Sequence, residues 1–134
     1  MLKFEYKTVN FKSPEFEDFY GTYQDDIESL FPNFDLEETS LSDIELLEVD
    51  NKICGVYITQ GKGETLHIEL DYVIQQYRDL GIGQEYLPIQ FEKYKRKGYK
   101  NVLASTGNII QQDYLASLGF LKPERMGELH ERVL

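Results

Sequence analysis

Val73-Ile74-Gln75-Gln76-Tyr77-Arg78-Asp79-Leu80-Gly81-Ile82-Gly83-Gln84 is the stretch whose reading decides the fold. Before it, Thr65 to Ile74 alternates apolar and polar residues as a strand does, and after Gly83 a helical segment runs to Lys97 and closes at Gly98. A strand therefore feeds a loop with two glycines one residue apart, and a helix begins there. Such a turn lines up backbone N–H groups at a helix N-terminus, which is an anion site. The glycines let phosphate oxygens reach the main chain, and Arg78 offers a cationic fork to the same phosphates. Two familiar phosphate loops are excluded. A P-loop ends in Gly-Lys-Ser/Thr, whereas Gly83 is followed by Gln84 and Glu85. A dinucleotide fingerprint needs a third glycine where Tyr86 stands, and it needs a parallel sheet.

The segments before the loop predict an antiparallel sheet instead. Ile44 to Val49 and Ile53 to Thr59 flank the polar pair Asp50-Asn51, a hairpin pattern, and Gly61-Lys62-Gly63 predicts a second turn into the long strand. Lys3 to Phe11 alternates as a first strand. Ser13-Pro14 then signals a helix start, with Phe16, Phe19, Tyr20, Tyr23, Ile27 and Leu30 on one stripe and Pro32 as the stop. Residues 34–42 predict a short helix or an irregular connection. Past the loop, Tyr99 to Ala104 predicts a buried strand, Asn108 to Leu118 a helix closed by Gly119, and Phe120 to Leu134 one or two further strands. With no repeat or linker-like tract, residues 1–134 are expected to form a single mixed α/β domain.

Three features, in order, resemble the GNAT superfamily of acyl-CoA-dependent N-acyltransferases. They are Arg78-Asp79-Leu80-Gly81-Ile82-Gly83 after Leu70-Asp71-Tyr72-Val73, then Gly98-Tyr99-Lys100-Asn101-Val102 behind a helix, then Asn108 with Leu118-Gly119-Phe120. The resemblance spans roughly residues 44–122. It implies a mostly antiparallel central sheet with a splayed parallel strand pair, flanked by helices, and acetyl-CoA as co-substrate. It also implies that main-chain groups around Tyr72 and Val73 pair with the pantetheine arm. The cofactor loop would be Arg78, Asp79, Leu80, Gly81, Ile82, Gly83 and Gln84, with amides of Gly81, Gly83 and Gln84 on the pyrophosphate and Asn108 near the cofactor. An amide near Val73 would polarise the thioester carbonyl.

An attacking amine must lose a proton, so a base is expected on the strand. His67, Glu69 and Asp71 share one face of a regular strand, because side chains alternate with period two. His67 and Glu69 stand where the resemblance implies a base; Asp71 reads as a structural or substrate-facing carboxylate. Many relatives place a tyrosine acid four residues before the glycine of Leu-Gly-Phe, and here that residue is Leu115. Tyr114 precedes it, about 100° round the helix, so its ring is expected to face the core rather than the sulfur. It is the candidate acid the chain offers.

Composition narrows the partners. The chain has 134 residues, 41% of them apolar, with a net charge of −10, which disfavours nucleic acid and anionic membranes as partners. Residues 1–50 hold 3 lysines against 14 carboxylates, while the remainder holds 11 basic and 10 acidic residues. That acidic half either solubilises the surface or draws in a cationic substrate. Cys54 stands alone and reads as a small buried hydrophobe; with His67 and His130 the only histidines, no metal site is expected. Lys3, Glu5 and Lys7 interrupt the amino terminus where a signal peptide needs its apolar core, so a cytoplasmic location is expected. The expected activity is acetyl transfer from acetyl-CoA to a small amine or a protein amino group. A catalytically weak or inactive acyl-CoA-binding sensor or interaction module is the alternative, and a homodimer stays open.

Overall fold

A computed structural model describes residues 4–32, 34–78, 82–104, 109–121 and 129–134; for Phe4, 82–85 and 109–112 it describes the backbone. The elements run β1 (Phe4–Val9), α1 (Pro14–Leu30), a 3-10 turn (Leu36–Thr39), β2 (Asp43–Val49), β3 (Lys52–Lys62), β4 (Thr65–Val73), α2 (Gln75–Arg78), α3 (Ile82–Arg96), β5 (Asn101–Ala104), α4 (Ile109–Ser117) and β6 (His130–Val133). The six strands lie in the spatial order β1-β2-β3-β4-β5-β6. Every neighbouring pair is antiparallel except β4–β5. This is the predicted mixed sheet with one parallel pair.

Local chemistry explains the connections. Asp50 and Asn51 both take positive φ, 49° and 68°, the geometry a two-residue hairpin between right-twisting strands needs. The next turn departs from expectation. β3 runs through Gly61 and Lys62, and the chain reverses at Gly63-Glu64, where Gly63 has φ 61°. Gly61 serves packing instead: a β-carbon there would collide with the Tyr99 hydroxyl. Ser13 occupies the N-cap of α1 as expected, yet its side chain makes no capping hydrogen bond; Pro14 at the first helical position carries the start. Gln75–Arg78, read from sequence as loop, forms one helical turn. Pro88 lies inside a continuous α3.

Two apolar clusters sandwich the sheet. On one face, Phe16, Phe19, Tyr20 and Ile27 of α1 cover Ile44, Leu46, Val56, Ile58, Leu70 and Tyr72. On the other, Leu87, Phe91 and Tyr94 of α3 and Leu115 of α4 cover Tyr57, Leu66, Ile68, Val102 and Ala104. β4 contributes to both, Leu66 and Ile68 to the second cluster and Leu70 and Tyr72 to the first, although all four share one parity. The register gives the reason. Ile58 pairs with Leu70 and Thr59 with Ile68, so Glu69 is an extra residue in β4, a bulge. Inserting one residue into a period-two strand swaps the faces of everything after it.

Candidate functional site

The bulge corrects the expectation that His67, Glu69 and Asp71 share a face. His67 and Glu69 open on the α1 side of the sheet. Asp71, two residues past Glu69, opens beneath α3 and α4, opposite Tyr57 of β3. The sequence carries no sign of this irregularity, since no glycine or proline marks Glu69.

On the first face, His67 and Glu69 line an open groove of about 190 Å³ with Asp35, Glu38, Gln60 and Lys62. Ser42 donates its hydroxyl to both oxygens of Glu69 at 3.2 Å. Partial burial raises the Glu69 carboxyl pKa, against the Ser42 hydrogen bond and Lys62, which lower it, and with Glu38 adding to the rise. For His67, burial and then Lys62 lower the pKa, so the imidazole is neutral near pH 7. The rise makes Glu69 a better proton acceptor than a surface carboxylate, whereas His67 is kept unprotonated but is the weaker base for it. The groove's acidic members come from the turn after α1, where Asp35 caps the 3-10 helix by accepting from the Glu37 amide at 3.0 Å. Sequence reading located the acid-rich segment but not its convergence on His67 and Glu69. Tyr20 is buried in the core and packs near Phe16 and Phe34.

On the second face, Tyr114 packs against the cluster under α3 and α4, and its hydroxyl is near enough to the Asp71 carboxylate to favour that group's ionised form. Leu115 is buried in the core. The ring therefore neither sinks wholly into the core nor takes the position of Leu115; it reaches the strand. Burial pushes the Asp71 carboxyl up to about 6, with the Tyr114 hydrogen bond pulling the other way. Tyr6, Tyr57 and Tyr86 wall the cavity beside Asp71, and the Tyr6 and Tyr86 rings stack at 3.5 Å between centroids.

Beyond Ile68 and Ala104, the last parallel pair, β5 ends while β4 continues for five residues. Along this stretch Tyr72 turns its side chain to α1, donating its hydroxyl to Asp26 at 2.6 Å, so only its main chain faces the end of the parallel pair. Arg78 is engaged too. Its Nη2 meets Asp26 at 2.5 Å, its Nε donates to the Val73 carbonyl at 2.7 Å, and its guanidinium lies 5.4 Å from the Tyr72 ring centroid. Tyr72 and then Arg78 hold the Asp26 carboxyl below its usual pKa. α3 then starts at Ile82, with Gly83 and Gln84 in its first turn, as the strand-loop-helix reading requires. Asp79, Leu80, Gly81 and Asn108 lie outside the described residues. Cys54 is buried, with burial raising its thiol to about 11. Among the described residues no cluster of metal-ligating side chains occurs, and no helix is long and apolar enough to cross a membrane.

No family model and no curated protein matches the sequence. Solved structures do match the fold. A GNAT family acetyltransferase from Elizabethkingia anophelis, with acetyl-CoA bound, superposes with a TM-score of 0.72 at 22% identity, covering 98% of both chains. The PaiA N-acetyltransferase of Thermoplasma acidophilum, in complex with coenzyme A, gives 0.72 at 15% identity over 98% of this chain and 99% of that one. An IAA acetyltransferase from Bacillus cereus gives 0.67 at 15% identity, covering 98% of this chain and all of that one. At such identities the likeness establishes the architecture: the chain has the GNAT fold.

Proposed function

We propose that this GNAT-fold chain is an acetyl-CoA-dependent N-acetyltransferase acting by direct attack of a primary amine, with a cationic acceptor. The observation that carries the proposal is the course of β4. It leaves its parallel partner at Ile68, continues as an edge to Val73, and leads within a few residues into the start of α3. Among the described residues no strand pairs with that edge, so its main-chain groups fit a pantetheine arm, and a helix start with Gly83 in its first turn fits a diphosphate. Structural neighbours determined with acetyl-CoA or coenzyme A bound support the same reading. Acetyl-CoA supplies the thioester. Main chain at Tyr72 and Val73, and amides at Gly81, Gly83 and Gln84, hold it, with Asn108 beside it. For Arg78 to join the phosphates, it must leave Asp26.

Glu69 takes the amine proton, directly or through water, with Ser42 fixing its carboxylate; His67 lines the same groove and is the second base candidate. Asp35 and Glu38 supply negative charge where an ammonium would arrive. Tyr114 is the acid candidate for the departing thiolate. The buried Leu115 favours a second reading, a domain that binds acyl-CoA with little or no catalysis. A thiol-release assay over polyamines, amino acids, aminoglycosides and peptides separates them. Release of CoA with a di- or polyamine supports the transferase, and cofactor binding without release from any acceptor supports the second reading.

A further inference from the structure

We propose that Asp71 and Tyr114 form a proton-transfer pair that protonates the leaving sulfur from the helix side of β4, replacing the tyrosine that position 115 lacks. The proposal rests on the transferase reading above and adds a residue that reading leaves without a chemical role. Its foundation is the bulge at Glu69, which sends Asp71 through the sheet to the face where α4 brings Tyr114. Asp71 borders two cavities, one with Ile68, Ala104 and Leu115 at the end of the parallel pair, the other with Tyr6, Tyr57 and Tyr86. It thus stands beside the edge of β4 that the thioester would follow.

Among the described residues, the tyrosines around Asp71 are Tyr114 from α4, Tyr57 from β3, Tyr86 from α3 and Tyr6 from β1, while Glu69 opens to the groove and also borders the small cavity at the end of the parallel pair. None of these four carries positive charge, so the carboxylate is stabilised by the Tyr114 hydroxyl against its burial. A carboxyl so placed holds a proton more readily than a surface one, and its ionised form makes Tyr114 a poorer acid. The acid-competent state is therefore protonated Asp71 donating to the Tyr114 oxygen, with the Tyr114 hydroxyl released toward sulfur.

The protons balance. An ammonium acceptor first loses one proton to solvent, and as the C–N bond forms the neutral amine's nitrogen gives a second proton to Glu69 on the groove side. As the C–S bond breaks, Tyr114 gives its hydroxyl proton to the sulfur and takes one from Asp71, which is left as carboxylate. Solvent then removes the proton from Glu69 and returns one to Asp71, so the products are amide and free CoA thiol.

The test titrates the thiol of bound CoA by its ultraviolet thiolate absorbance, with the desulfo-CoA complex as blank so that Cys54 cancels. Calorimetry first establishes that wild type, Asp71→Asn and Tyr114→Phe bind CoA. An ionised Asp71 beside the sulfur opposes a second negative charge, so Asp71→Asn raises the thiol ionisation constant about tenfold, one pKa unit. Tyr114→Phe shifts it the opposite way, because the hydroxyl that would solvate the thiolate is gone; this variant decides the matter if the other does not fold. CoA bound with thiol ionisation unchanged in both variants overturns the pair but leaves the cofactor reading intact. No CoA binding by wild type overturns both.

Discussion

Glu69 and Asp71 are carboxylates two residues apart on one strand, and they occupy different solvents. Glu69 borders an open groove with Ser42, Glu38 and Lys62 around it, and its pKa rises modestly against opposing influences. Asp71 sits among tyrosines under two helices, where among the described residues the Tyr114 hydroxyl alone offsets burial, and it reaches about 6. One unpaired residue in the β3–β4 ladder makes the difference. A bulge here does more than bend a strand: it gives one strand an open, acidic face and a buried face whose carboxyl holds its proton more readily.

The largest effect should come from removing what locks the bulge. Leu70 lies between the two carboxylates and is 1% exposed in the α1-side cluster. Leu70→Ala should cost about 3 kcal/mol in denaturant unfolding, the usual range for a truncated core leucine. A loss below about 1 kcal/mol would mean that the faces are not held as described.

Glu69→Gln should lower kcat/KM for an amine acceptor by about 100-fold, roughly 2.7 kcal/mol of transition-state stabilisation. Because the carboxylate is the active form, wild-type activity should fall as pH drops through the raised Glu69 pKa. The variant should lose that acid limb. An unchanged profile would transfer the base role to His67.

Asp71→Asn should act in the opposite sense on stability. The folded-state pKa of Asp71 is raised, so its ionisation costs the folded state free energy as pH climbs from about 4 to about 6. Above that window the variant should be more stable than wild type by about 2 kcal/mol, and below pH 4 the two should converge. Urea melts at several pH values measure this, and a variant less stable at pH 7 would place Asp71 in a favourable contact instead.

The smallest effect belongs to the partly exposed Arg78–Asp26 pair. Asp26→Asn should cost no more than about 1 kcal/mol. Its depressed carboxyl pKa means that this contribution is present at neutral pH and fades as pH falls below the usual carboxylate range. The more telling readout is cofactor affinity. Freeing Arg78 from Asp26 should tighten acetyl-CoA binding if the guanidinium then turns to the phosphates.

Much of this molecule could be read from residue spacing. The apolar stripe of α1, the Asp50-Asn51 hairpin and the start of α3 after the glycine turn follow local rules, and the structure keeps them. The parallel pair came from a motif resemblance rather than periodicity. What eluded the sequence are consequences of long-range register. The bulge at Glu69 exists because β4 must satisfy two clusters at once, and no residue type announces it. The meeting of Tyr114 with Asp71 depends on that bulge, so strict alternation misplaced Asp71. Ser42 beside Glu69, 27 positions apart in the chain, was invisible for the same reason.

The central claim is that backbone amides opening α3 receive the diphosphate of acetyl-CoA. Calorimetric titration of acetyl-CoA into wild type and Gly83→Asp tests it most directly, because a carboxylate in the first turn of that helix would oppose the phosphates. The account predicts one-site binding by wild type and a loss of at least about 100-fold, some 2.7 kcal/mol, in the variant. Equal affinity in the two proteins, or none in wild type, would contradict it.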